Sequence, residues 1–276
     1  MNALRDRLHQ FLRHYLVALQ FFTRVPVTGP IAEWTGYSPG MLRASAAHFP
    51  GVGLLVGMAA CVAFAVVSVL LPASPFEPLA AAFACAIATA LMTGAFHEDG
   101  LADAMDGLGG SADRERALEI MKDSRIGSFG AVALVLVLGM KMSLLAALAA
   151  GSPAAVLAAL LAGHTVSRFW PLLIVHALPH VGDTATSKSK PLAESIGRRA
   201  LVVAAAWCLL PLALMAAAHG IAFMLLAVLA SGLALLAMRA WFARRLQGFT
   251  GDCLGAAQQV CEVAFYLGSA VGIGVG

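Results

Sequence analysis

The sequence has few charged residues: only 12% of its 276 residues are Asp, Glu, Lys or Arg. A soluble domain usually carries about 25% charged residues, so this chain has too little charge to cover a water-exposed surface. The composition therefore argues against a soluble globule and a disordered chain, because 60% of the residues are apolar and the mean hydropathy is +0.84. It instead predicts an all-α bundle of membrane-spanning helices that has the lipid bilayer as part of its solvent.

Cysteine is also scarce. The five cysteines include no CxxC pair, which argues against a disulfide framework or a cysteine metal site. The net charge of +3 is too small to indicate a nucleic-acid partner. The N-terminus does not resemble a signal peptide, because Arg5, Arg7 and Arg13 interrupt its first stretch.

Long apolar runs dominate the rest of the chain. A helix needs roughly 20 mainly apolar residues to cross a bilayer. Seven segments are candidates for such spans: 51–71, 79–96, 129–149, 154–175, 200–218, 221–240 and 256–275. The shorter stretch 11–22 has basic neighbours, so we expect it to lie in the membrane interface. The chain is thus predicted to form a single membrane-embedded domain, 1–276, with a cytoplasmic or interfacial segment at 1–50.

The connections between these spans alternate between short and long. Nearly all Lys and Arg residues lie in the long ones, 1–50, 97–128, 176–199 and 241–255. Because an excess of Lys and Arg marks the cytoplasmic side, the pattern predicts a cytoplasmic N-terminus and places every long connection on the cytoplasmic side. Two G-x-x-x-G motifs, at Gly53 and Gly268, allow close helix packing, either within the chain or in a homo-oligomer.

Acidic residues are rare, but eight of the fifteen lie between positions 98 and 123. We interpret 97–128 as a catalytic cytoplasmic loop. If the second span continues as a helix, Asp99, Asp103 and Asp106 fall within about 60° of one face. Carboxylates that share a face repel one another, and Mg²⁺ prefers oxygen ligands and also holds phosphate oxygens. The triplet therefore predicts a Mg²⁺ site, with a solvated acidic loop as the alternative. The neighbouring glycines, expected to leave room for a ligand at the backbone, are at 100, 107, 109 and 110.

Polar residues in other cytoplasmic loops are candidates for phosphate binding. Lys122, Ser124 and Arg125 place basic groups and a small donor after the acidic segment. Lys188 and Lys190 lie in a polar loop that is either a lid over an anionic substrate or a plain linker.

A third group of polar residues lies at or within the spans. Thr250 and Asp252 lie at the mouth of the last span, where Asp252 either completes the site or caps the helix. Arg168 lies about two turns from the cytoplasmic end of its span, so it can snorkel or reach a buried phosphate. His164 is one turn deeper on the same face, and Lys141 has no evident local partner near the middle of its span.

Together these motifs resemble the cobalamin synthase family, systematically named adenosylcobinamide-GDP ribazoletransferase. The resemblance is carried by His97-x-Asp-Gly-x-x-Asp-x-x-Asp-Gly, Met121-Lys-Asp-Ser-Arg-Ile-Gly, Thr250-Gly-Asp-x-Leu-Gly-Ala256, Phe22-Thr-Arg-Val-Pro-Val, Phe49-Pro-Gly-Val-Gly and the Ser-Lys-Ser-Lys-Pro loop. These motifs cover nearly the whole chain. One departure concerns position 259: the family pattern has an acidic residue near it where this chain has Gln259, whereas Glu262 matches.

The resemblance implies an enzyme of the cytoplasmic membrane that joins adenosylcobinamide-GDP to α-ribazole or its 5′-phosphate, releases GMP and needs Mg²⁺. Such a phosphoryl transfer depends on positioning and charge neutralisation. On this interpretation Asp99, Asp103 and Asp106 hold Mg²⁺, and one of them or Asp123 accepts the hydroxyl proton. The residues expected to contact phosphate or substrate are Lys122, Ser124, Arg125, Arg168, Lys188, Lys190, Thr250 and Asp252.

Two other functions fit part of the pattern. A CDP-alcohol-type membrane phosphotransferase shares the fragment Asp103-Ala-Met-Asp106-Gly107, but here Leu108-Gly-Gly-Ser follows where that class continues with Ala-Arg and two further aspartates. A transporter would use the carboxylates as an ion path. Transport sites usually lie near the membrane midplane, however, whereas these carboxylates collect at the cytoplasmic mouth.

Overall fold

A computed structural model of the chain describes residues 2–182 and 196–274. Its α-helices are α1 (Asn2–Phe22), α2 (Gly29–Thr35), α3 (Pro39–Ser45), α4 (Phe49–Leu70), α5 (Glu77–Thr93), α6 (Phe96–Gly110), α7 (Arg114–Ile120), α8 (Ser128–Gly151), α9 (Pro153–Ala177), α10 (Arg198–Leu246) and α11 (Gly251–Ile273). Within the described ranges the only β-type pairing is one isolated bridge, so the all-α prediction is confirmed. Lys188 and Lys190 lie outside the described residues.

Several of these helices are suited to a bilayer. Four described segments are long and apolar enough to cross one: Pro39–Leu70, which combines α3 and α4, and the helices α8, α9 and α10. The bent pair α5–α6 adds a fifth if it counts as one crossing. The fold is therefore a multi-pass membrane helix bundle, and the count of seven crossings stays a prediction.

The 49-residue helix α10 is broken at Gly220, whose φ of 85° and ψ of 166° are not helical. At its start, the carbonyl of Ile196 lies 3.0 Å from His176 Nδ1, in the last turn of α9. After the C-terminal end of α10, Phe249 forms the isolated β-bridge with His180, which follows α9. The break lies at the opposite end of α9, where His219 is hydrogen-bonded to Ser152 at 3.1 Å. Helix α10 is thus a helical hairpin with arms that run in opposite directions.

Helices α5 and α6 meet at a bend of 91°. Gly94 and Ala95 both have positive φ, 72° and 57°, which interrupts a right-handed helix. The expectation that the second span continues as a helix through the aspartates is therefore wrong. Instead, Gly100 touches the first turn of α11, Asp106 bonds to the first turn of α8, and Arg245 at the end of α10 donates to the end of α6. Helix α6 therefore lies across one end of the bundle, against α8, α10 and α11.

Helix α1 includes the stretch 11–22. Leu4 and Leu8 in its first half are 77% and 55% exposed, whereas Val17 and Phe22 in its last turns are buried. The helix therefore packs on the bundle from its middle to its C-terminal end, beginning with Phe11, whose ring stacks on that of Trp207 in α10 at 5.8 Å. Its first half presents exposed apolar side chains, as an interfacial segment would, and this interfacial location stays a prediction.

Both G-x-x-x-G motifs are used within the chain. Gly53 and Gly57 of α4 lie against the backbone of α9, and Gly268 and Gly272 of α11 lie against the second arm of α10. Small residues let these helix backbones approach closely. The motifs thus serve intramolecular packing, and the homo-oligomer gains no support from them.

A side chain at Gly53 is expected to disrupt the packing of α4 on α9. A Cβ atom at this position would overlap the backbone carbonyl oxygen of His164, and a helix backbone cannot move aside as a flexible side chain can. We expect Gly53→Ala to cost about 1–3 kcal/mol, as overpacking does elsewhere, measured as a lower Tm in detergent. Gly139→Ala is the matched control, because a Cβ there meets nothing within 4 Å. Equal Tm values for the two variants would contradict the packing.

Candidate active site

The structure separates the three predicted metal ligands of α6. Asp106, which is 7% exposed, faces the N-terminus of α8. Its carboxylate accepts hydrogen bonds from the backbone N–H groups of Gly127 at 2.6 Å and Gly130 at 2.8 Å. A helix N-terminus favours an anion because of its unpaired N–H groups and its dipole. Each oxygen of Asp106 therefore accepts one hydrogen bond from the start of α8.

The rest of the carboxylate group involves α11. Among the charges that act on Asp103, that of Asp252 is the strongest, followed by those of Asp99 and Asp106. The helices approach closely at Gly100, where a Cβ would lie 3.1 Å from the Cα of Asp252. The structure thus brings Asp99, Asp103 and Asp252 together at the crossing of α6 and α11. We call these three residues the carboxylate group.

The environment of Asp103 changes its acidity. Burial, and then the negative charges of Asp252, Asp99 and Asp106, raise the pKa of Asp103 to about 7. Both effects disfavour the charged form of a carboxylate. A partly buried carboxylic acid that titrates near neutral pH is typical of functional sites, because it is suited to bind a cation or to accept a proton.

This raised pKa predicts how the stability of the metal-free protein depends on pH. Between the ordinary value of 3.8 and the folded value of about 7, the folded state keeps a proton on Asp103 that the unfolded state has lost. Because the folded state binds more protons in this window, stability falls as the pH rises through it. We expect Tm in EDTA to decrease from pH 5 to pH 7 more in the wild type than in Asp103→Asn. Parallel curves for the two proteins would contradict the raised pKa.

Thr250 and Asp252 have different roles at the start of α11. The Oγ1 atom of Thr250 accepts a hydrogen bond from the N–H of Cys253 at 3.3 Å, so Thr250 is the N-cap. The Thr250 hydroxyl also lies 3.3 Å from Asp252 Oδ2, to which it donates. The alternative that Asp252 caps the helix is therefore wrong, and its carboxylate belongs to the carboxylate group.

The predicted phosphate-binding residues Lys122, Ser124 and Arg125 are exposed in the loop before α8. Arg125 donates to the Asp123 carboxylate from Nε at 3.0 Å and from Nη2 at 2.6 Å. These hydrogen bonds lower the pKa of Asp123 to about 2. A carboxylate held by an arginine is a weak base, so the alternative that Asp123 accepts the hydroxyl proton loses support.

The described residues contain no preformed metal site. Within 2–182 and 196–274, no group of three or more His, Cys, Asp or Glu side chains is arranged to hold a metal ion. This holds for the predicted triplet Asp99, Asp103 and Asp106 and equally for the carboxylate group Asp99, Asp103 and Asp252. The donor chemistry of the carboxylate group nevertheless fits Mg²⁺, which takes carboxylate oxygens. The metal stays a prediction.

The glycines of α6 serve helix packing. A Cβ at Gly100 would meet the backbone of α11, one at Gly107 would meet α7, and one at Gly109 would meet the ring of Phe129 in α8. The expectation that the glycines of α6 leave room for a ligand is therefore wrong for Gly107 and Gly109, whereas Gly100 also lines a cleft beside Asp99 and Asp252, and a Cβ at Gly110 would meet only Ile120, at 3.6 Å. Gly100, Gly107 and Gly109 let α6 lie close to three neighbouring helices at once.

A cleft with aromatic walls lies beside Asp99 and Asp252. It encloses about 840 Å³ of space, its open mouth included. The rings of Phe22 and Phe49 stack with centroids 4.1 Å apart, and His97 stacks on Phe49 at 5.7 Å. Apolar walls with a few polar groups at one edge are the usual form of a small-molecule site. Sequence reasoning missed this cleft, although Phe22 and Phe49 occur in the motifs that carry the resemblance.

The charged residues predicted within the spans are buried. Arg168 is 2% exposed, donates to the carbonyl of His164 at 2.9 Å and has its guanidinium 5.8 Å from the ring centroid of Phe49. It therefore does not snorkel to the surface. Lys141, which had no evident partner, has its Nζ atom 2.6 Å from Oε1 of Glu262. This partner lies on another helix, so no local spacing could have shown it.

The chain is similar to known proteins over nearly its full length. Residues 14–270 match the family model described as cobalamin-5-phosphate synthase. A protein of Polaromonas naphthalenivorans named adenosylcobinamide-GDP ribazoletransferase is 58% identical over 96% of this chain and 99% of its own length. Proteins of the same name from Leptothrix cholodnii and Shewanella amazonensis are 45% and 42% identical, over 95% and 93% of this chain and 96% and 94% of their own lengths. No solved structure matches the chain.

The family match spans the motifs on which the resemblance was predicted. They extend from the Phe22 motif to Glu262, and the match extends from residue 14 to residue 270. The identities to the relatives are high and cover nearly the full length of each protein. The resemblance is therefore confirmed, and the chain belongs to the cobalamin-5-phosphate synthase family of enzymes.

Proposed function

We propose that the protein joins adenosylcobinamide-GDP to α-ribazole 5′-phosphate, or to α-ribazole, in a Mg²⁺-dependent phosphoryl transfer that releases GMP. The observation that carries the proposal is the family match over residues 14–270. The name of the relatives, adenosylcobinamide-GDP ribazoletransferase, agrees with it. The ribazole 3′-hydroxyl would attack the phosphorus on the cobinamide side of the diphosphate, and GMP would leave.

The carboxylate group is the proposed centre of this chemistry. Asp99, Asp103 and Asp252 would hold Mg²⁺, which when bound supplies positive charge to the diphosphate and the leaving group. Mutual repulsion contributes to the raised pKa of Asp103, and a divalent cation would relieve it. In this proposal Asp252 replaces Asp106 in the predicted ligand set, because Asp106 is bonded to the amides of α8.

Asp103 is also the preferred candidate to accept the hydroxyl proton. A general base works best when its pKa lies near the working pH. Without Mg²⁺ the pKa of Asp103 is about 7, whereas that of Asp123 is about 2. Mg²⁺ held by Asp103 would lower the first value, so this comparison ranks the two bases in the metal-free protein. In this proposal Asp123 instead orients the guanidinium of Arg125.

The phosphate and substrate contacts proposed along the cytoplasmic loops are Lys122, Ser124, Arg125, Lys188 and Lys190. The positive charges of the lysines and of Arg125 would neutralise phosphate oxygens, and the hydroxyl of Ser124 would donate a hydrogen bond. Thr250 would act by donating to Asp252. Arg168 lies beneath the Phe49 ring that lines the cleft, so it would act on the substrate through its charge, without direct contact.

The aromatic-walled cleft is the proposed seat of a planar heterocyclic base. Stacking of a base on an aromatic side chain contributes about 1–3 kcal/mol in nucleic-acid complexes, and Phe22, Phe49 and His97 supply such rings. A base seated there would bring the attached ribose toward Asp99 and Asp252, which also line the cleft.

We propose seven membrane crossings, with the N-terminus and the site on the cytoplasmic side of the inner membrane. The reversal at Gly220 supports two crossings for α10, and α4, α5, α8, α9 and α11 would provide one each. Helix α6 lies at the end of the bundle where the basic loops collect, which supports a cytoplasmic location by the positive-inside rule.

The test is GMP release by the purified protein in lipid, with adenosylcobinamide-GDP, α-ribazole 5′-phosphate and Mg²⁺. Release that requires both substrates and stops in EDTA is the expected result. If the folded protein releases no GMP from intact substrates, the proposed function is wrong. Solute uptake into sealed vesicles without GMP release would indicate the transporter alternative.

A further inference from the structure

A polar network lies inside the bundle, away from the carboxylate group. Its centre is Glu262 of α11, which is 1% exposed. Lys141 of α8 lies 2.6 Å from Glu262 Oε1, and the hydroxyl of Tyr266 donates to the same oxygen at 3.0 Å. The amide of Gln258 donates to the second oxygen, Oε2, at 2.7 Å. Both oxygens of this buried carboxylate are therefore held.

The network continues from Glu262 to α6. The Gln258 amide donates to Ser167 of α9 at 2.9 Å as well as to Glu262. The amide of Gln259 donates to Gln258 Oε1 at 3.0 Å and to Glu98 Oε1 at 3.2 Å. Glu98 immediately precedes Asp99 in the sequence. A continuous set of hydrogen bonds thus connects α8, α9 and α11 to the helix that carries Asp99 and Asp103.

The network is poorly explained as a source of stability. Buried ion pairs contribute little net stability, because desolvation offsets their attraction. Purely structural polar networks are usually satisfied, but several buried polar atoms around this one have no hydrogen-bond partner among the described residues: His97 Nε2, Glu98 Oε2, His164 Nε2, Arg168 Nε and Gln259 Oε1. Buried polar atoms without hydrogen-bond partners are expected at functional sites.

We propose that this network positions α6 for the reaction and that Gln259 is the positioning residue that connects it to α6. The inference rests on the proposed function. Gln259 is 2% exposed and holds Glu98, so Asp99 and Asp103 keep their alignment with Asp252 on the adjacent helix. Catalytic geometry of this kind must be held within about 0.5 Å, which a rigid connection to three spanning helices can provide.

The chemistry of Gln259 suits this role. Its amide nitrogen donates to two acceptors, one of which is the carboxylate of Glu98. An acidic residue at position 259 would instead face Glu98 with a second negative charge. Exchanging the two groups, in the double variant Glu98→Gln with Gln259→Glu, keeps the total charge and restores a donor and an acceptor at this contact.

The experiment compares Gln259→Leu with two other proteins. Ser231→Ala is the matched control: Ser231 is also buried, accepts from Trp170 at 2.7 Å and donates to the carbonyl of Cys261 at 2.7 Å, without contact to α6. The exchanged double variant is the rescue. We measure kcat and KM for GMP release, and separately the rise in Tm that Mg²⁺ alone produces.

Gln259→Leu is expected to lower kcat at least tenfold, to leave KM for adenosylcobinamide-GDP within about twofold, and to reduce the Mg²⁺-induced rise in Tm. Ser231→Ala is expected to lower Tm without changing the Mg²⁺ effect, and the exchange is expected to recover part of kcat. Wild-type kcat and a wild-type Mg²⁺ effect in Gln259→Leu would overturn the proposal. Equal losses of kcat and of the Mg²⁺-induced rise in Tm in Ser231→Ala would also overturn the proposal, because they would indicate a general structural effect.

Failure of the proposed function gives a different result. In that case even the wild type releases no GMP. The Mg²⁺-induced rise in Tm can still be measured for Gln259→Leu and for Ser231→Ala and compared between them. If Gln259→Leu does not fold, the exchanged double variant and Glu98→Gln provide the same comparison. A wild-type Mg²⁺ effect in Glu98→Gln, in which the Gln259 amide no longer meets a carboxylate, would then overturn the proposal.

Discussion

Replacing Asp103 or Asp252 by asparagine is expected to lower GMP release about 100-fold or more. Asparagine keeps the shape of the side chain but removes the negative charge that would hold Mg²⁺ and accept a proton. Loss of one such electrostatic contribution typically costs about 10²–10³ in turnover, or about 3–4 kcal/mol of transition-state stabilisation. The measurement is kcat for GMP release in lipid at saturating substrates and Mg²⁺.

The Tm values of these variants distinguish a loss of catalysis from a loss of folding stability. Asp103→Asn removes a carboxylate from a group of like charges, so its Tm in EDTA is expected to equal or exceed that of the wild type. Asp106→Asn is expected to lower Tm, because the first-turn amides of α8 lose a charged acceptor. Glu119→Gln, exposed on α7, is the control that keeps both activity and Tm. Wild-type turnover in both Asp103→Asn and Asp252→Asn would remove the carboxylate group from the proposal.

The place of the site could be predicted because charge is so rare in this chain. Acidic residues beside an apolar run are costly unless they have a function, and the local spacing of Asp99 and Asp103 depends only on the helix period. The bend between α5 and α6 could not be predicted. It uses positive φ at Ala95 as well as Gly94, and alanine otherwise favours continuing a helix.

The partners of each aspartate could not be predicted either. Helical periodicity shows which residues share a face of α6, but it does not show which neighbouring helix that face meets. Asp106 shares the spacing of Asp99 and Asp103, yet the first turn of α8 takes up its carboxylate. Asp252 is distant in sequence from α6, and the crossing at Gly100 brings it close.

The sequence could indicate part of the buried network around Glu262. Gln258 and Glu262 are four residues apart in an apolar segment, so they share a helix face, and the cation Lys141 lies in another span. Ionisable residues within spans usually pair with one another. That rule could suggest the pair, but it could not choose Lys141 over Arg168 as the closest cation, because the choice depends on how α8, α9 and α11 are rotated in the bundle.

Removing the charge of Lys141 is expected to have the largest effect on stability. Lys141→Met leaves the carboxylate of Glu262, 1% exposed, without the cation that lies 2.6 Å away. Breaking a buried ion pair from one side costs about 3–5 kcal/mol, because the remaining charge stays in a low-dielectric interior. The hydrogen bonds from Tyr266 and Gln258 and the more distant charge of the buried Arg168 remain, but the closest cation is lost. The measurement is reversible unfolding in mixed detergent and SDS micelles.

The double variant, Lys141→Met with Glu262→Gln, distinguishes a charge effect from lost packing. Neither charge is then left alone, so the double variant is expected to be about 1–3 kcal/mol more stable than the sum of the single variants predicts. Arg244→Met, at an exposed position at the end of α10, is the control with no buried partner. Additive single effects, within about 0.5 kcal/mol, would mean that the two side chains do not interact. A coupling of the expected size would instead mean that this ion pair joins α8 to α11, the helix whose first turn carries Asp252.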